Sequence, residues 1–130
     1  MPPQTLTRSV ETELEPENLF KLLSEVDNIP KWAPVFADKI ERIRDSRYRV
    51  IKNDDAFEVG VFTNRAAGTV DYLREMPGGR RGGAYIRVTP RPLGGSSVSM
   101  TVPIAANTTA ADVAKVLEQE LVDLVCLAQS

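Results

Sequence analysis

The chain predicts an α+β fold, a strongly curved antiparallel sheet of seven strands wrapped around one long C-terminal helix, in the order β-α-α-β6-α. Three observations carry this expectation. Six short β-like runs follow one another from Asp38 to Ile104, joined by links rich in Gly, Asp and Pro, the residues tight turns require. Within those runs apolar and polar side chains alternate, so one face of the sheet needs a cover. The last segment supplies that cover as a single amphipathic helix.

Residues 5 to 14, "TLTRSVETEL", place Leu6, Val10 and Leu14 on one face and Thr5, Ser9, Glu11 and Glu13 on the other, a first strand with a solvated side. Pro16 suits the first helical position and Glu17 its positive end, while Leu19, Phe20, Leu22, Leu23 and Val26 form a broad apolar stripe. Helix one is expected over 16–26. Asp27 or Asn28 can cap a second short helix with Pro30 in its first turn, and Pro34 forces an end soon after. "DNIPKWAPVF" is therefore a helical elbow built around the only tryptophan, Trp32.

Strands are expected at 38–44, 47–53, 56–64, 68–76, 83–91 and 96–104, an antiparallel meander. Alternation is clearest where Phe57, Val59 and Val61 oppose Glu58 and Gly60, and where Val98, Met100 and Val102 oppose Ser97, Ser99 and Thr101. In the closing segment Thr109 precedes Asp112 by three, a capping signal, and Val113, Val116, Leu117, Leu121, Leu124 and Leu127 recur at helical spacing. About twenty residues at about 1.5 Å each span about 30 Å, enough to cross the sheet. A pleckstrin-homology barrel has no helix after its first strand, and a nuclear-transport-factor-like cone opens with helices and ends on strands.

Composition narrows the chemistry. At 130 residues, 26% charged and 42% hydrophobic, this is one globular domain, residues 1–130, that needs no disulfide or metal to fold. A net charge of -2 gives no pull toward phosphate backbones, so no nucleic-acid partner is expected. No apolar run approaches a membrane span or a signal-peptide core, so no stable membrane insertion is expected and a cytoplasmic location is. Histidine is absent and Cys126 is the single cysteine, which removes Cys/His zinc sites, Ser-His-Asp triads and Cys-His dyads. No cofactor is expected.

With this element order, and with "NIPKWAPVF", "GTVDYLRE", "GGAYIRVTPRPLGGSSVSMTVP" and "VLEQELVDL" along it, the chain resembles the START-related helix-grip superfamily (SRPBCC), the group of polyketide cyclase/dehydrase-like and lipid-transport-like proteins that includes plant pollen allergens. The resemblance covers nearly the full length and rests on element order more than on a short signature. It implies a cavity between the concave sheet and the C-terminal helix, with the elbow at one rim, that binds or transports a small hydrophobic ligand of lipid, isoprenoid or polyketide-like type. The ligand-lining residues expected are Trp32, Phe36, Phe57, Val59, Val61, Tyr72, Met100, Leu117 and Leu121. Trp32 also has a plain reading as core filler. A monomer or weak homodimer is expected.

Three side chains are candidates for chemistry if the chain is instead a cyclase/dehydratase-like enzyme. Arg8 shares a strand face with Leu6 and Val10, so it needs a partner, a route to solvent or a polar ligand group. Asp71 is its candidate partner, and in apolar surroundings its carboxyl would shift upward as an acid or base needs. Tyr72 offers a hydroxyl, whereas the alternation in "AYIRVTP" turns Tyr85 outward. Each has a structural reading too: a snorkelling charge, a paired or solvated charge, a packed core ring. Arg80 and Arg81, between glycine pairs, read as a solvated basic turn, and neither the P-loop nor the GxGxxG pattern is present. A third possibility is an interaction module whose cavity has closed with bulky side chains.

Overall fold

The computed structural model describes residues 3–75, 77–79 and 81–130, apart from the side chains of Pro77 and Arg81. The chain runs β1 (Thr5–Thr12), α1 (Pro16–Ser24), a 3₁₀ turn (Val26–Asn28), α2 (Ile29–Trp32), β2 (Lys39–Arg44), β3 (Arg47–Lys52), β4 (Asp55–Asn64), β5 (Thr69–Glu75), β6 (Arg81–Pro90), β7 (Ser96–Pro103) and α3 (Ala110–Gln129). All seven strands form one antiparallel sheet in the order β1-β7-β6-β5-β4-β3-β2. The meander β2 to β7 thus adds β1 at its far edge, where Arg8 pairs with Met100 and Val10 with Val98.

Local chemistry explains most boundaries. Pro16 opens α1, and the helix ends at Ser24 because Glu25 turns to an extended conformation. This is two residues earlier than the periodicity implies, and it swings Val26, Ile29 and Trp32 into the core. Asn28 sits at the start of α2 but its side chain makes no cap; its amide instead donates to Glu25 Oε2 at 3.1 Å. Thr109 does cap α3, its hydroxyl accepting from the Asp112 amide at 3.1 Å.

The concave face carries Val10, Val98, Val88, Ile86, Met100, Val70, Tyr72, Val59 and Val50, and α1, α2 and α3 cover it with Leu19, Leu23, Ile29, Trp32, Leu117, Leu121 and Leu124. Each fully buried aliphatic side chain among them contributes roughly 1.5–3 kcal/mol of burial. The convex face carries the cross-strand row Phe62, Asp71, Tyr85, Thr101 and Thr7. Of the basic turn, Arg80 lies outside the described residues.

Candidate functional site

The helical layer does not fill the sheet's concavity completely. α3 packs on β1, on α2 and on α1. A cavity of about 430 Å³ opens between α2, α3 and the strands β4 to β7, within the size range of small-molecule sites. Trp32, Ala33 and Phe36 form the elbow side of its wall, Val59 and Tyr72 the middle of the sheet, Met100 and Val102 the far strand, and Val113, Val116, Leu117 and Glu120 the helix.

Its floor is made of Gly82, Gly83 and Ala84 on β6. Gly83 has φ 149°, and a Cβ there would collide with the Tyr72 carbonyl oxygen. With no side chain at Gly82 and Gly83 and only a methyl group at Ala84, β6 approaches β5 closely and leaves open space above it.

Tyr72 is buried in the wall and its hydroxyl donates to the Leu23 carbonyl oxygen at 2.7 Å. α1 ends one residue later, so this carbonyl belongs to a helix terminus that has run out of intrahelical donors. Burial pushes the phenol's pKa upward, so Tyr72 stays neutral. Its ring lies 6.3 Å from that of Trp32. Trp32 is 2% exposed, and its indole N–H has no hydrogen-bond partner among the described residues.

Of the nine expected lining residues, Trp32, Phe36, Val59, Tyr72, Met100 and Leu117 come together in the cavity wall. Val61 and Leu121 are buried in the core beside it. Phe57 stands outside, in a neighbouring groove, with its ring edge-on to Phe36 at 5.7 Å and the Arg74 guanidinium over its face at 3.8 Å. That contact is a cation–π pair, and it holds Arg74 between groove and cavity.

The polar candidates fall elsewhere. Arg8 is on the concave side at the sheet edge and its Nε meets Glu118 Oε1 on α3 at 3.3 Å, the Arg8 side chain half-buried and that of Glu118 largely in solvent. Its partner is Glu118 and not Asp71, because strand alternation puts Asp71 on the opposite, convex face between Phe62 and Tyr85. Partial burial among those neighbours raises the Asp71 pKa, but the carboxyl points away from the cavity. Tyr85 is exposed on that same convex face.

The acid that does line the cavity is Glu120. It is partly buried on the inner side of α3, one helical turn beyond Val116 and Leu117, and no described residue hydrogen-bonds or ion-pairs with its carboxyl. Burial, with a smaller contribution from the neighbouring Asp123 charge, raises its pKa from an ordinary 4.5 to about 7. The signal was present in the sequence: Val113, Val116, Leu117 and Glu120 share one helical stripe, spaced by three, four and seven.

No family model and no curated protein matches the chain in sequence. Solved structures match it over nearly its whole length. A START superfamily protein from Mycobacterium smegmatis superposes with a TM-score of 0.63 at 13% identity, covering 98% of this chain and 94% of that one. The Zhui aromatase/cyclase from Streptomyces sp. R1128 gives 0.67 at 13% identity over 97% and 93%. Ara h 8.0201 gives 0.61 at 17% identity over 96% and 97%. Sheet order, the two-helix elbow, the long closing helix and these superpositions agree that the chain has the START-related helix-grip fold.

Proposed function

We propose that the chain binds a small hydrophobic ligand in the cavity between the sheet and α3. The observation that carries this is the cavity itself: about 430 Å³, open on one side and walled by Trp32, Val59, Met100, Val102, Val113 and Leu117, a concave and mostly apolar site of the size that takes a small molecule. Apolar ligand surface moved from water into such a wall gains roughly 25 cal/mol per Å². The cavity also counts against the filled-core interaction module.

The expected test is a thermal shift against lipids, isoprenoids and aromatic polyketides. Stabilisation by at least one class supports the reading, since a ligand that binds only the folded state raises the melting temperature by mass action. No shift with any class would remove it.

A cyclase-type enzyme is the second reading, favoured by the fold likeness to the Zhui aromatase/cyclase and by Glu120 in the cavity wall. Without histidine, proton transfer near neutral pH needs a carboxyl shifted as Glu120 is. Asp71, on the convex face, has no route to a substrate in the cavity. Turnover of a reactive polyketone that Glu120→Gln abolishes would select this reading; turnover unaffected by that change would exclude Glu120 from it.

A further inference from the structure

Glu120 is the polar exception in a wall that is otherwise mostly apolar, and its position is not incidental. Glu118, two residues earlier on α3, points to the sheet edge and is paired with Arg8. Glu120 turns instead between Val113, Val116 and Leu117 into the cavity, where a carboxyl loses hydration and finds no described partner. Among the other described polar side chains of the wall, the Tyr72 hydroxyl donates to Leu23 and the Trp32 indole nitrogen is closed off from the open space. Arg74 lays the face of its guanidinium on Phe57, a contact that uses none of its N–H donors, so it can only donate. Glu120 is therefore the carboxyl that a bound hydroxyl meets in this wall.

We propose that Glu120 anchors the ligand through a hydroxyl group, so that the protein selects a compact apolar alcohol or phenol over the corresponding hydrocarbon. This rests on the cavity reading and adds the ligand's polar end to it. A carboxylate only accepts hydrogen bonds, whereas a carboxylic acid also donates one. A hydroxyl is both donor and acceptor, so it answers Glu120 in either protonation state; a ketone answers only the acid. The apolar body of the ligand then lies against Met100, Val102 and Leu117.

The test compares fluorenol with fluorene by isothermal titration calorimetry at neutral pH. Fluorenol is expected to bind the natural protein about tenfold more tightly, the effect of one hydrogen bond to a charged or partly charged group. Glu120→Leu is expected to erase that preference while retaining fluorene binding, and Glu120→Gln to keep most of it. Equal affinity for the two compounds in the natural protein, a comparison that needs no variant, overturns the hydroxyl anchor. A preference that survives in Glu120→Leu overturns it too. If neither compound binds while another apolar compound stabilises the fold, the anchor fails and the cavity reading stands; if no apolar compound binds at all, both fail.

Discussion

The Tyr72 hydroxyl on β5 reaches the Leu23 carbonyl at the end of α1 at 2.7 Å, tying the middle of the sheet to the helix that precedes the elbow. One bond does two things. It satisfies a carbonyl that α1 itself cannot, and it holds the Tyr72 ring upright as cavity wall. Tyr72→Phe keeps the ring and leaves that carbonyl without its donor, so a loss of about 1–2 kcal/mol is expected in urea unfolding. An unchanged midpoint would mean the bond contributes nothing.

Trp32 is the only tryptophan and is 2% exposed. Its fluorescence is therefore expected to be blue-shifted in the folded protein and to move to a water-like emission on unfolding. A red emission from the native state would contradict the burial. Trp32→Ala removes the elbow's central side chain, and a loss of about 3–5 kcal/mol is expected.

Gly83 tests the cavity floor. A Cβ at this position meets backbone and not a flexible side chain, and φ of 149° disfavours any other residue. Gly83→Ala is expected to lower stability by more than about 1 kcal/mol in thermal unfolding. A neutral result would show that β6 and β5 can separate at this point without cost.

Glu120 makes stability depend on pH with a defined sign. Its carboxyl holds a proton up to about 7 in the folded state and up to about 4.5 when unfolded. Between those values the folded state binds more protons, so stability falls as pH rises from about 4.5 to about 7 and is level above. The neighbouring Asp123 acts in the same direction, and Arg74, across the cavity, is the described cation in the same wall. The fall is at most roughly 3 kcal/mol. Glu120→Gln is expected to flatten it, and a wild-type slope that persists in the variant would assign the dependence to another group.

Arg8 provides a contrast. Its pair with Glu118 is exposed and spans from the sheet edge to α3, so Arg8→Ala is expected to cost under about 1 kcal/mol and to leave ligand affinity unchanged. A loss of binding in that variant would place the sheet edge in the site.

The element order was legible because strand alternation and helical spacing are local properties of the sequence, and every expected strand and helix is present. What local pattern could not decide was the face of β5, where Val70, Tyr72 and Leu73 are apolar on both sides; that ambiguity sent Asp71 to the cavity when it belongs to the convex row beside Phe62. The end of α1 depends on where Trp32 must land, which is a tertiary demand. Glu120 was hidden in "VLEQELVDL" as one more charge on a helix, although its seven-residue spacing from Val113 places it on the inner stripe. Phe57 alternates inward as expected, yet its ring packs against Phe36 and Arg74 in the neighbouring groove and does not reach the cavity.

Native mass spectrometry of the protein incubated with a mixed panel of apolar compounds, alongside Leu117→Trp to fill the space, tests the central claim most directly. The natural protein is expected to retain one apolar molecule and the filled variant none. A natural protein that stays at its bare mass across the panel, or a filled variant that retains the same molecule, would contradict a ligand site between the sheet and α3.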